Sequence, residues 1–152
     1  MKSNRIGSAL ILPGIALAIV VAVIGYVAFA SNALPDRPTD LVWDRTACDA
    51  CQMHVGEPGF AAQVQLRDGR TLAYDDPGCL LDAWQATTAG AHAVWFHHLH
   101  EARWLRSDQV AFVRVEPTPM GFGLGAVDPG TPGSMTLEAA RALIATAAGG
   151  HR

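Results

Sequence analysis

Positive charge is scarce in this chain. Eleven Lys and Arg stand against fourteen Asp and Glu, a formal net charge of −3 at pH 7. No basic stripe runs through it, which excludes the electrostatic footprint of a nucleic-acid-binding protein. Cysteine is sparse as well, with Cys48, Cys51 and Cys79 making three. In an exported chain, an odd count argues for a free thiol or a metal ligand and against a complete disulfide framework. No Ser–His–Asp or paired-carboxylate constellation is visible, and no catalytic residue is expected, so the chain reads as a non-enzyme. The C-x-x-C at Cys48–Cys51 is followed by Gln52 and not by His, which excludes c-type haem attachment.

What the chain has in quantity is an apolar N-terminus. Lys2 and Arg5 precede an uncharged run from Ile6 to Ala30. As a helix rising about 1.5 Å per residue, this run exceeds the roughly 30 Å hydrocarbon core of a bilayer. Basic residues ahead of it predict the N-terminus inside and the bulk of the chain outside. The length favours a retained signal anchor over residues 1–30, a single-pass transmembrane helix of the cell inner membrane with the remainder on the periplasmic side. The alternative is a cleavable signal peptide with Ala28-Phe29-Ala30 as its small-x-small site. No cysteine near the end of the run offers a lipid attachment point.

Residues 31–44, polar at first and carrying two prolines by Asp40, read as a linker. Residues 45–152, about 110 in all, suffice for one domain with its own core. Phe60, Ala62, Val64 and Leu66 alternate with Ala61, Gln63 and Gln65, the period of a half-buried strand. Asp68-Gly69 offers a hairpin turn, and Thr71 to Tyr74 the return strand. Asp76 can cap a helix with Pro77 in its first position. Strands are expected over 93–99 and 110–115, with a glycine-weakened one over 121–127. Thr136 can cap a last helix stopped by Gly149-Gly150. The order predicts an α+β fold of two similar strand–helix halves with mostly antiparallel strands, preceded by the N-terminal transmembrane helix.

Cys48-Asp-Ala-Cys51-Gln-Met53-His54 gathers two thiols, a thioether and an imidazole in one short stretch. Soft sulfur ligands select Cu(I), while Zn(II) takes thiolate and imidazole without thioether, so Met53 discriminates. On an extended segment Cys51 and Met53 share a face, and His54 points away unless a turn intervenes. Cys48 is either a third ligand or a disulfide partner of Cys51. Met120, between Pro119 and Gly121, is the distant thioether that could complete the site. Cys79 is read as core packing at the start of a helix. His97, His98 and His100 read as polar strand positions, with a secondary Cu(II) or Zn(II) site as the alternative. Two rivals to a copper site remain, a thiol–disulfide protein using Cys48 and Cys51, and a structural zinc domain.

Three stretches together resemble the NosL family of nitrous-oxide reductase accessory proteins. They are Cys48-x-x-Cys51-x-Met53, the hairpin ending Tyr74-Asp75-Asp76, and Thr118-Pro119-Met120-Gly121-Phe122-Gly123. The resemblance runs from about Arg45 to Gly150. It implies a two-half α+β fold, Cu(I) binding outside the cytoplasmic membrane, and a copper-chaperone role. It also implies delivery to a client copper enzyme, nitrous-oxide reductase, with an ABC-type copper-centre maturation complex as partner. Carried over by position, Cys51, Met53 and Met120 are the implied copper residues, with Cys48 matching the first Cys of the motif. Typical members read Cys-Gly-Met where this chain has Gln52, and they are lipoproteins where this chain has only its apolar run.

Overall fold

Alternation and turn chemistry build the first sheet. In the computed structural model, which describes residues 6–31, 34 and 36–149, β1 (Ala62–Leu66) folds back through the Asp68-Gly69 turn onto β2 (Thr71–Tyr74). Gly69 takes φ +89°, the left-handed region that a glycine enters without steric cost. β1 also pairs antiparallel with β3 (Ala91–His97), and β3 with β4 (Trp104–Arg106), giving the order β2-β1-β3-β4. A short helical turn over Pro58–Phe60 replaces the first residues of the expected strand.

Between β2 and β3 the chain forms α2 (Pro77–Asp82) and α3 (Trp84–Thr88). The Asp76 side chain accepts from the Gly78 N–H at 2.8 Å, and Pro77 occupies the first turn, as a helix N-terminus prefers. A second antiparallel sheet follows, with β5 (Ala111–Arg114) between β6 (Leu124–Val127) and β7 (Met135–Thr136). The Ala139 N–H donates to Thr136 Oγ1 at 3.3 Å as α4 (Leu137–Gly149) begins. Gly150, the second glycine of the expected stop, lies outside the described residues.

One core serves both sheets. Phe96 of β3 and Phe112 of β5 meet edge to face at 5.0 Å between ring centroids, surrounded by Val64, Tyr74, Leu80, Leu124 and Ile144. Aromatic pairs in this geometry contribute beyond their buried area. A parallel bridge between His98, just past β3, and Ala126 of β6 joins the two sheets.

Three expectations require correction. The halves are unequal, since the first sheet has four strands with its helices inserted mid-sheet, and the second has three strands with its helix at the end. The alternating strand is buried on both faces: Gln63 and Gln65 lie in the interior. The reason is that residues 37–39, from the stretch read as linker, cover that face. Thr39 N–H donates to Gln63 Oε1 at 2.8 Å, and Gln65 Nε2 donates to the Arg37 carbonyl at 2.6 Å. Trp95 Nε1 donates to Gln65 Oε1 at 3.1 Å, so these buried amides are satisfied.

The third correction concerns the N-terminus. The chain divides into two units, Met1–Pro35 and Asp36–Arg152. The first contains α1 (Ile6–Ser31), whose apolar side chains from Ile15 to Val27 stand exposed. Among the described residues, no helix is long and apolar enough to cross a membrane. That finding overturns the transmembrane helix and the single-pass anchor expected over residues 1–30. Lys2 and Arg5, which set its predicted orientation, lie outside the described residues.

Candidate metal centre

The Cys48 loop is a closed turn pinned to a sheet edge. Ala47 and His54 form an antiparallel bridge, and Cys48 N–H donates to the Met53 carbonyl at 2.7 Å. The Gln52 N–H returns to the Cys48 carbonyl at 3.0 Å. Asp49 fixes this turn to β2: its N–H donates to the Ala73 carbonyl at 2.8 Å, and its Oδ2 accepts from the Ala73 N–H at 2.7 Å. The loop therefore completes the hydrogen bonding of an edge strand and buries Cys48 completely.

Gln52 adopts φ +64°. A side chain in the left-handed region costs roughly 1–2 kcal/mol, and Gln52 Nε2 partly offsets this by donating to the Cys48 carbonyl at 3.1 Å. The turn thus needs the conformation that a glycine supplies. Gln52→Gly is expected to stabilise the fold by about 1 kcal/mol. Chemical denaturation checks it, and an unchanged or lowered midpoint contradicts the strain.

Cys79 comes to this loop from the first turn of α2. The Sγ atoms of Cys48, Cys51 and Cys79 all lie within 4.8 Å of one another, and all three cysteines are free. Cys48 and Cys79 are buried and Cys51 is half-buried, so the cluster opens toward solvent on the Cys51 side. The Cys79 thiol donates to Cys48 Sγ, and backbone N–H groups of Cys51, Asp75 and Ala50 point at the same sulfur. These donors outweigh burial and draw the Cys48 thiol down to about 4. The same hydrogen bond, with burial, holds the proton on Cys79. Burial raises the Cys51 thiol, against a hydrogen bond from the Met53 N–H.

Met53 is exposed, two residues on from Cys51. Met120 is exposed as well, and its loop is held from below: the Met120 N–H donates to Asp76 Oδ2 at 3.1 Å. The fully buried Asp76 carboxylate therefore ties the start of the Cys79 helix and the Met120 loop together. His54 sits exposed in the bridge with Ala47 and is not a member of the thiol cluster. Sequence reasoning placed Asp76 only as the helix cap and Cys79 only as core packing; it did not foresee the tie to the Met120 loop or the meeting of Cys79 with Cys48 and Cys51. The available signal was the Asp76-Pro77 cap, which places residue 79 in the first helical turn beside the end of β2.

A second cluster joins His98, Glu101 and Asp128 within 4.8 Å. His98 Nδ1 accepts from the His100 and Glu101 N–H groups at 3.2 and 3.1 Å, so its proton sits on Nε2. Nε2 lies 3.7 Å from Asp128 and 3.9 Å from Glu101, and Arg103 pairs with both carboxylates. With a proton on Nε2 and both carboxylates already bound by Arg103, this reads as a structural network. His97 packs edge-on against Trp43 and Trp104, with Nδ1 donating to the His98 carbonyl at 2.9 Å.

Burial lowers the His97 pKa below its ordinary value near 6.5, and its proton affinity is thus weaker in the folded state than in the unfolded one. The sign follows directly: the unfolded chain binds the extra proton, and stability falls as pH drops below 6.5. His97→Gln should flatten that limb in denaturant titrations between pH 7 and 5 (about one histidine proton in the linkage slope). An unchanged slope overturns the assignment.

Comparison with protein-family models, with curated proteins and with solved structures returns no match.

Proposed function

We propose that this chain is a non-catalytic Cu(I) chaperone working on the extracytoplasmic side, as its NosL resemblance implies. Cu(I) is its cargo, held by Cys51, Met53 and Met120 with Cys48 alongside. Its recipient is the assembly of a client copper enzyme, nitrous-oxide reductase, through an ABC-type maturation complex. The observation that carries this reading is the convergence of three thiol sulfurs within 4.8 Å at a half-open site. Two supports accompany it: the exposed Met53 two residues from Cys51, and the Met120 loop tied by Asp76 to the Cys79 helix. A donor set of thiols and thioethers fits Cu(I) better than Zn(II) or a hard cation. An accessible edge suits an ion that must be passed on, whereas a closed four-ligand cage suits a structural metal.

The test is Cu(I) titration of the reduced, anaerobic full chain against a chromogenic Cu(I) chelator. Met53→Ala and Met120→Ala should each weaken binding at the position they line at least tenfold, about 1.4 kcal/mol, without unfolding the domain. Unchanged Cu(I) binding in both variants defeats the reading. Zn(II) binding insensitive to both, with no Cu(I) retained, would point instead to a zinc domain.

A further inference from the structure

We infer that the chain holds a second Cu(I) position, formed by Cys48 and Cys79 on the inner side of the loop with Cys51 as a thiolate shared between the two ions. This rests on the copper reading above and deepens it, because nothing in the C-x-x-C-x-M pattern calls for Cys79. The inner position is defined by geometry. Sulfurs bound to one ion at roughly 2.3 Å lie about 4 Å apart, and the three Sγ atoms already lie within 4.8 Å of one another. Two of them are buried, and the third is half-exposed.

Cys48 and Cys79, the two buried members of the cluster, flank the inner side, and Cys51 stands between it and solvent. As Cu(I) enters, each ligand that still carries its thiol proton releases it to solvent, and no electron is transferred. Charge favours two ions over one. Three thiolates around a single Cu(I) leave a formal charge of −2, and a second Cu(I) reduces it to −1, which lowers the cost of burial.

The two positions divide the work. The outer ion, on Cys51 with the exposed Met53 and Met120, is the one a partner can reach. The inner ion, behind Cys51, is retained. Asp76 keeps the two in register, since it caps the helix that carries Cys79 and binds the Met120 N–H.

Equilibrating the reduced full chain with Cu(I) and a competing chelator, then counting copper per chain, tests this. The wild type should retain two equivalents, Cys79→Ser one, the Met53→Ala/Met120→Ala pair one, and Cys51→Ser at most the inner one, on Cys48 and Cys79. A wild type that retains a single equivalent, or a Cys79→Ser variant that retains as much copper as the wild type, overturns the inner position. No retained Cu(I) in the wild type overturns the copper reading itself, a separate failure. Cys79 is buried, so X-ray absorption of the copper-loaded wild type gives a readout that needs no variant. It should show all-sulfur coordination with a copper neighbour close to each copper, and mononuclear copper overturns the proposal.

Discussion

Gly78→Ala is expected to destabilise the domain by about 3 kcal/mol, the upper range for forcing extra volume into a packed interior. A Cβ at this position would stand 2.0 Å from Phe122 Cγ and 2.3 Å from Phe122 Cβ. No rotation of the ring relieves a clash with its own Cβ, so either α2 or the 120–123 loop must move. Those are the two segments that Asp76 holds together, and the change therefore reaches Cys79 and Met120 as well as the core. Gly90→Ala is the control, because a Cβ there meets nothing within 4 Å, and its effect should stay within about 0.5 kcal/mol. Denaturant midpoints of Gly78→Ala, Phe122→Ala and the double variant close a cycle. The double variant should lose less than the sum of the singles, since removing the ring removes the clash. Additive losses would mean that the packing of Phe122 on α2 is not what requires glycine.

Oxidation is expected to abolish Cu(I) retention, lowering affinity at least about a hundredfold, roughly 2.7 kcal/mol. Oxidised glutathione takes up two electrons and two protons from a pair of these thiols and leaves them as a disulfide. A disulfide sulfur is a poor metal ligand, because the thiolate is the donor. The three free sulfurs lie near enough for Cys48 to bridge to either Cys51 or Cys79 after a small approach to the roughly 2.05 Å bond length. Treated wild type should lose copper and regain it with a thiol reductant. Cys48→Ser, which keeps Cys51 and removes two of the three possible bridges, leaving only Cys51–Cys79, should retain more copper after the same treatment. Equal retention by both proteins, with and without reductant, would remove redox control from the account.

The local pieces of this molecule were legible in the residue order. Asp68-Gly69 marks its turn, Asp76-Pro77 its helix start, and the Phe60–Leu66 alternation its strand, because each depends on contacts a few residues apart. The two-sided burial of that strand was not legible. It requires Arg37 and Thr39 to lie across Gln63 and Gln65, and polar side chains facing away from the core give no signal of such a cover. Unequal sheets escaped for a similar reason: β4 and β7 are too short for periodicity to register. The apolar length of the N-terminal run was plain in the sequence, yet among the described residues no helix is long and apolar enough to cross a membrane.

The same division runs through the site. Cys48, Cys51 and Met53 are gathered by their spacing in the chain, and the soft-ligand reading of that spacing is where the copper proposal starts. The place of Cys79 was decided only by tertiary structure. Its partners lie on a distant loop, and a helix start is by itself an ordinary setting for a buried cysteine. Docking of the Asp49 turn on β2 and capping of α2 by Asp76 bring the three sulfurs within 4.8 Å. Sequence order determines which donors this protein carries. The packing of a sheet edge against a helix start determines which of them meet, because that contact is long-range and made largely by backbone groups, which carry no residue signature.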